Sequence, residues 1–229
     1  MLISIIIPAY NDAKSIEDLV KEVDFVTKKI TDSYEILVLD DGSQDETKLV
    51  ILNLAKRYKK LKVLIHDKNK GYGAALKTLY SNSNGDFIIN LPGDNQMPAE
   101  NISKFMNVPY DQDIVIGYRK KRMDSIRRKM NSFFYNIIIS IIAFKRIHDV
   151  DSTKRIRKDL IKNINLKYDN VFLDSEIVLR SILKNCKICE ITIIHRPRIF
   201  GRSSGGKFKT IFIIISSLIK FLFEDKLKR

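Results

Sequence analysis

Four short stretches carry side chains suited to binding and reaction: Pro8-Ala9-Tyr10-Asn11-Asp12, Asp40-Asp41-Gly42-Ser43, Asn69-Lys70-Gly71-Tyr72-Gly73 and Pro92-Gly93-Asp94-Asn95-Gln96. Asp94 and Gln96 are hard oxygen donors two residues apart. Such a pair, completed by diphosphate oxygens and water, suits Mg²⁺ or Mn²⁺. Gly71 and Gly73 would let backbone approach a phosphate at a helix start, although an ordinary strand-to-helix turn has the same composition. Asp40 can accept hydrogen bonds from a base or a ribose, or it can cap the next helix, a task equally open to Ser43 or Asp45. Asp174 and Glu176, in FLDSEIVLR, are the best candidates for a general base. Their plainer role is that of first-turn acids favoured by a helix dipole.

These side chains need a frame, and the hydropathy pattern supplies one. Residues 2–7, 35–39, 61–65, 87–89 and 114–116 are short apolar runs. Such runs are typical of strands buried on both faces. Between them Ile16, Leu19, Val20, Val23, Val26 and Ile30 recur at helical steps. A second helix is predicted from near Ser43 and Asp45, a third over 73–80 and a fourth over 98–106. The alternation predicts a single α/β domain whose sheet is mostly parallel and doubly wound. Every polar stretch named above then falls at the carboxyl end of a strand, where open α/β sheets bind ligands.

Composition narrows the function classes. The chain has 229 residues, two cysteines and a formal net charge of +14. Two cysteines exclude a disulfide scaffold, and Cys186-Lys187-Ile188-Cys189 reads as two ordinary thiols. His66 and His148 are expected to have no catalytic role. The opening residues read as a strand rather than a secretory leader. There is no G-x-x-x-x-G-K-[ST] loop, and no G-x-G-x-x-G follows the first strand, which argues against P-loop and dinucleotide-binding enzymes.

The charge is unevenly placed. Residues 1–118 carry 14 basic and 17 acidic side chains, whereas 119–229 carry 27 and 10. Two strongly basic segments, 119–130 and 195–229, adjoin the uncharged runs 133–144 and 210–219. Both runs fall short of the roughly 20 apolar residues of a spanning helix. Basic flanks on short apolar helices predict contact with an anionic membrane surface, the alternative being buried core helices. Nucleic acid is not expected, because the basic segments adjoin Ile/Phe runs rather than aromatics spaced for base stacking.

Taken together, SIIIPAYND at 4–12, EILVLDDGSQDET at 35–47, NKGYGAAL at 69–76 and GDFIINLPGDNQMP at 85–98 resemble the family 2 glycosyltransferases of the GT-A fold. The dolichol-phosphate mannose synthase-like branch is the most similar. Gly117-Tyr118-Arg119, Asp149-Val150-Asp151-Ser152 and the run from Glu190 through His195, Arg198, Gly201 and Ser203 extend the match.

The resemblance implies an inverting, metal-dependent transfer of a hexose from a UDP- or GDP-hexose to a lipid-linked acceptor, above all a polyprenyl phosphate (dolichyl or undecaprenyl). It implies that Pro8, Tyr10, Asp12, Asp40, Gly71 and Gly93 line the nucleotide-sugar pocket. Asp94 and Gln96 would hold Mg²⁺ or Mn²⁺, with Asp94 central to catalysis. Arg119, Arg127 and Arg128 would meet the acceptor phosphate, and Arg198 and Ser203 would close over the donor. Residues 1–118 would form the nucleotide-sugar half. Residues 119–229 would form the acceptor half, docked through amphipathic helices on the cytoplasmic face of a membrane.

The alternatives are transfer to a hydroxyl of a cell-surface glycan and, more distantly, an inactive nucleotide-sugar binder. The sequence departs from the family pattern at four places. Pro92 replaces the first Asp of D-x-D-x-Q, and Asp12 stands where Glu is usual. Thr153-Lys154 replaces Gly-Phe, and Ser204 replaces a Lys.

Overall fold

The computed structural model describes residues 1–197 and 208–226. In chain order the elements are β1 (Ile3–Ala9), α1 (Ile16–Lys28), β2 (Tyr34–Asp40), α2 (Thr47–Arg57), β3 (Leu61–Ile65), α3 (Tyr72–Asn82), β4 (Phe87–Asn90), α4 (Glu100–Met106), β5 (Ile114–Tyr118), α5 (Ile126–Ala143), β6 (Lys154–Arg157), α6 (Lys158–Asn163), α7 (Leu173–Leu183), β7 (Ile188–Thr192) and α8 (Phe208–Phe221). Arg198 and Ser203 lie outside the described residues.

One seven-stranded sheet runs in the order β3-β2-β1-β4-β6-β5-β7. It is continuous across the 118/119 division. β1 is buried along its whole length. Successive side chains of a strand point to opposite faces, and the two cores divide accordingly. Ile3, Ile5, Ile7, Ile36 and Val38 pack in one core, against α1. Ile6, Leu37, Leu39, Ile88 and Ile114 pack in the other, against α3, α5 and α7. Each such side chain contributes about 1.5–3 kcal/mol on burial, which is why uninterrupted isoleucine suits β1.

The sheet is mixed rather than simply parallel. β6 lies antiparallel between β4 and β5, and β7 joins the edge parallel to β5. Neither β6 nor β7 has the apolar run that marks the first five strands. Lys154 and Arg155 are fully buried in β6 because the fold supplies their partners. Lys154 Nζ meets Asp174. Arg155 donates to the carbonyls of Phe105, Val108 and Pro109 and stacks on Phe87. α2 begins at Thr47, later than predicted, because Asp45 turns the chain first by accepting the Thr47 N–H at 2.9 Å.

β1 pairs with β2 on one side and β4 on the other, all parallel. The connections from β1 and β4 diverge there, leaving a crevice beyond their carboxyl ends. Antiparallel β6 begins at that same rim, so the turn before it and the start of α7 join the crevice. Among the described residues, no helix is long and apolar enough to cross a membrane.

Candidate active site at the carboxyl rim of the sheet

The β1 and β2 turns are stitched together. The Asn11 N–H donates to Ser43 Oγ, the Gln44 N–H to Asn11 Oδ1 and the Asp12 N–H to Thr47 Oγ1, all at 2.8–2.9 Å. Asn11 takes a left-handed conformation (φ 55°) to do this, which Asn tolerates better than most residues. Tyr10 is exposed at the rim, whereas Pro8 is buried. Asp40 is buried, and one of its oxygens accepts the Ser43 N–H at 3.2 Å.

The β4 turn packs onto β1. The Gly93 N–H donates to the Pro8 carbonyl at 3.2 Å, and Ser15 Oγ donates to the Gly93 carbonyl at 2.9 Å. A Cβ on Gly93 would stand 2.8 Å from Asp12 Oδ2 and 3.1 Å from the Pro8 carbonyl oxygen. Only glycine lets this turn sit against Asp12. Asp94 Oδ1 accepts the Gln96 N–H at 3.0 Å, which fixes the carboxylate over the turn. Asn95 is left-handed (φ 54°), and its buried Oδ1 has no partner.

A divalent cation fits this turn. Its oxygens are those of a carboxylate and amides, and the buried Asn95 Oδ1 among them has no partner. Among the described residues no three His, Cys, Asp or Glu form a metal-holding group. Mg²⁺ and Mn²⁺ are commonly held by one or two carboxylates and completed by phosphate oxygens and water.

Gly71 and Gly73 do something other than cradle phosphate. Asp41, buried, accepts the N–H groups of Lys70 and Gly71 at 2.9 and 2.8 Å and binds His66 Nδ1 at 2.7 Å. Gly71 is glycine because its φ is +94°. A Cβ on Gly73 would come within 2.5 Å of the Asn170 backbone nitrogen. Gly73 is glycine for packing and Gly71 for its backbone conformation, and the Gly71 N–H is already bonded to Asp41. Asp41 is the residue that reading the sequence passed over. His66, held between Asp41 and Thr78, is structural.

Beyond β5 lies a ladder of three arginines and two aspartates. Arg119 binds Asp149 through Nε and a terminal nitrogen, each at 2.6 Å. Arg122 lies 3.6 Å from Asp149 and 2.8 Å from Asp124, and Asp124 also holds Arg128 at 2.8 Å. Burial alone would raise the Asp149 carboxyl's pKa, but the Arg119 hydrogen bonds and charge outweigh it and hold the pKa below the ordinary value. Asp124 is likewise held low, by Arg122 and Arg128 against burial. Arg119 therefore braces the rim through Asp149, while Arg127 is exposed and Arg128 is half-buried.

The segment after β7 packs against the Asp94–Gln96 turn. The Arg196 N–H donates to the Gln96 carbonyl at 2.8 Å, and its guanidinium grips Glu22 and Glu100. His195 Nδ1 accepts the Met123 N–H at 3.1 Å. Burial, reinforced by Arg119 and Arg122, lowers its pKa, with Asp124 and Asp94 opposing. His195 is therefore neutral at pH 7, with its proton on Nε2.

The two acids proposed as bases are committed elsewhere. Glu176 is fully buried, accepts the N–H groups of Lys167 and Tyr168, and pairs with Arg180. Asp174 is paired with Lys154 Nζ at 2.6 Å, with both side chains inaccessible. Glu176 thus stabilises the fold, and Asp174 neutralises a buried ammonium at the rim.

A model of glycosyl transferase family 2 matches residues 4–168. The undecaprenyl-phosphate 4-deoxy-4-formamido-L-arabinose transferase of Sodalis glossinidius is 28% identical over 211 residues, 91% of this chain and 64% of that protein. The transferase of the same name from Yersinia pestis (strain Pestoides F) is 29% identical over the same shares. The chain thus spans a little under two thirds of the length of these curated relatives. The glucosyl-3-phosphoglycerate synthase of Mycobacterium tuberculosis, solved with Mn²⁺, uridine diphosphate and phosphoglyceric acid, superposes with a TM-score of 0.74 at 14% identity. That match covers 96% of this chain and 78% of the synthase, and it establishes the shared fold.

Proposed function

The chain belongs to glycosyl transferase family 2, and from that premise we propose that it moves a hexose from a UDP- or GDP-hexose to a polyprenyl phosphate, with inversion at the anomeric carbon. The observation that carries this reading is the convergence, at one sheet rim, of the Asp94–Gln96 turn and the Arg119–Asp149–Arg122–Asp124–Arg128 ladder. The first suits a diphosphate with its cation, and the second, with one net positive charge, suits an anionic acceptor. The relatives' names, which include undecaprenyl phosphate, support the acceptor.

In this reading Pro8, Tyr10, Asp12, Asp40 and Gly93 line the nucleotide pocket. Asp94 and Gln96 would hold Mg²⁺ or Mn²⁺, which when bound would supply positive charge to offset that of a leaving diphosphate. His195 offers a neutral N–H donor without adding charge. The acceptor oxygen is already anionic, so it needs orientation rather than a base, and arginine provides this through paired N–H donors.

α5 would bring the enzyme to its lipid. Its solvent side carries Phe133, Phe134, Ile137, Ile138 and Ile141, while its buried side includes Asn136. Lys120, Lys121, Arg127, Lys129, Lys145 and Arg146 are exposed around it. Near an anionic surface each such charge contributes about 1 kcal/mol. The enzyme would work docked on the cytoplasmic face of a membrane.

The test incubates the protein with Mn²⁺, a panel of UDP- and GDP-hexoses and polyprenyl phosphate in vesicles, and reads products by mass. A hexosyl-phospholipid is expected. Transfer only to glycan hydroxyls, with none to the lipid, would overturn the assignment.

A further inference from the structure

β7 makes its last sheet pairing at Thr192, opposite Tyr118, and the Ile193 N–H still donates to the Tyr118 carbonyl at 3.0 Å. There β5 ends, and Arg119 turns to Asp149. The next residue is paired by a side chain instead. The Ile194 N–H donates to Asn101 Oδ1, and Asn101 Nδ2 donates to the Ile194 carbonyl, both at 2.9 Å. One amide side chain thus stands in for a neighbouring strand, and the backbone N–H fixes which end of the amide faces it. Asn101 is fully buried in the first turn of α4, where an apolar residue would otherwise suit. Neither the hydropathy pattern nor the resemblance marks it.

The two residues that follow Ile194 reach both sides of the crevice. His195 Nδ1 accepts the N–H of Met123, which lies between the ladder residues Arg122 and Asp124. The Arg196 N–H donates to the Gln96 carbonyl at 2.8 Å. Consecutive residues therefore hold the basic ladder and the Asp94–Gln96 turn. The Arg196 guanidinium anchors the segment a second time, on Glu22 of α1 at 2.9 Å and on Glu100 of α4 at 3.3 Å. Each side of the crevice also has a brace of its own. Ser15 and the Pro8 carbonyl hold Gly93, and Asp149 holds Arg119.

We propose that Asn101 is a positioning residue for the transfer: by pairing with the Ile194 backbone it keeps residues 194–196 stretched between the Asp94–Gln96 turn and the basic ladder, and so fixes the separation of donor and acceptor. The proposal rests on the reading of those two elements given above. Separation matters to the reacting pair and not to either substrate bound alone. Displacing reacting groups by about 1 Å can cost about a hundredfold in rate. The loss should therefore appear in kcat rather than in either KM.

The experiment compares the wild type with Asn101→Ala and with Arg196→Met. The second variant keeps the backbone N–H and loses only a half-buried guanidinium, so it guards against unfolding on removal of a buried amide. Urea unfolding gives the folded fraction of each protein. Amide hydrogen exchange, without substrates, follows in each variant the bond that the substitution does not touch. The Arg196 amide in Asn101→Ala, and the Ile194 amide in Arg196→Met, should each lose protection by at least about tenfold. With Mn²⁺, nucleotide sugar and polyprenyl phosphate in vesicles, kcat per folded protein should fall at least about tenfold in both variants, while both KM values stay within about twofold. The double variant should lose less than the product of the single losses, because both substitutions release one segment. An Arg196 amide that stays protected in Asn101→Ala would overturn the proposal. So would wild-type kcat per folded protein, or a loss confined to one substrate's KM, which would put the segment in a binding site. If Asn101→Ala does not fold, Arg196→Met decides by the Ile194 amide and by kcat. A wild type that makes no lipid product overturns the reading of the two elements and this proposal with it, whereas product with unaltered kcat in the variants overturns this proposal alone.

Discussion

Arg119 and Asp149, thirty residues apart in sequence, meet in two parallel hydrogen bonds of 2.6 Å. The side chains are 8% and 2% exposed. The pair joins the end of β5 to the turn before β6, and it fixes the floor on which the rest of the basic ladder stands.

Removing one partner leaves the other charged and buried. Asp149→Ala is expected to cost about 3–5 kcal/mol in urea unfolding. Arg119→Lys keeps the charge but loses the two-pronged geometry, and should cost less. Because Asp149's folded pKa is depressed, its contribution is present above the ordinary carboxyl value and is lost as pH falls through the folded one. Wild type should therefore lose more stability than Asp149→Asn on acidification below about pH 4. Parallel acid curves for the two proteins would contradict this account.

The Asp94–Gln96 turn makes separable predictions. Calorimetry with UDP or GDP should show binding that requires Mg²⁺ or Mn²⁺, and Asp94→Ala should weaken it by at least about tenfold. Gly93→Ala should weaken it too, for a different reason: its methyl would press on Asp12 and on the Pro8 backbone. That crowding should also lower stability by about 1–3 kcal/mol, whereas Asp94→Ala, at a partly exposed position, should leave stability nearly unchanged. Metal-independent nucleotide binding that survives Asp94→Ala would remove the site from this turn.

These features were unequally legible in the sequence. The first five strands stand out because two-sided burial leaves uninterrupted Ile, Leu and Val. Asp94 and Gln96 stand out because their spacing matches a cation's needs. β6 was invisible: Lys-Arg-Ile-Arg has no apolar run, and its charges are buried only because Asp174 and the α4–β5 carbonyls await them. The partner of Gly71 was hidden for a related reason. Its N–H looks available to phosphate until the fold brings Asp41, thirty residues earlier, within 2.8 Å. The resemblance assigned Arg119 to the acceptor, and nothing local announces that Asp149 holds it in two hydrogen bonds. Local pattern reveals what a segment buries, but it does not reveal which distant group satisfies a buried charge.

Lys154 and Asp174 test that point directly. Both are inaccessible, 2.6 Å apart. Lys154→Met should strand the carboxylate and cost about 3–5 kcal/mol, as should Asp174→Leu for the ammonium. The double variant replaces the pair by apolar volume, so it should recover part of the loss. The expected coupling is about 1–3 kcal/mol in a double-mutant cycle. Strict additivity would mean that the two charges find other partners.

Asp151 has the opposite effect on stability. Its folded pKa, raised to about 7, lies above its unfolded value. The stability it contributes is therefore fully present below about pH 4, and it is lost as pH rises through about 7. Asp151→Asn removes the penalty of an ionised carboxylate beside Asp174. The ligand-free variant should melt higher than the wild type, and the gain should be larger at pH 8 than at pH 5. Equal gains at both pH values would show that the carboxylate is not destabilised in the folded protein.

The apolar face of α5 yields the last prediction. Phe133, Phe134 and Ile141 are 62%, 57% and 67% exposed. Phe144 closes the helix in a left-handed conformation that favours glycine, and it is 89% exposed. Solvation gives no reason to place large apolar groups there, and among the described residues Phe133, Phe134 and Ile141 belong to neither core. A bilayer would reward them, and the surrounding lysines and arginines favour an anionic one. The protein should sediment with vesicles containing acidic phospholipid, bind neutral vesicles weakly, and lose affinity in about 0.5 M salt as screening shortens the reach of its charges. Replacing Phe133, Phe134 and Ile141 together by serine should weaken vesicle binding by at least about tenfold and leave unfolding stability intact, because none of the three belongs to a core. Turnover of a short, water-soluble polyprenyl phosphate should then persist in the triple variant, while turnover of the full-length lipid in vesicles falls. Equal losses on both acceptors would place these residues in the catalytic fold rather than on the membrane.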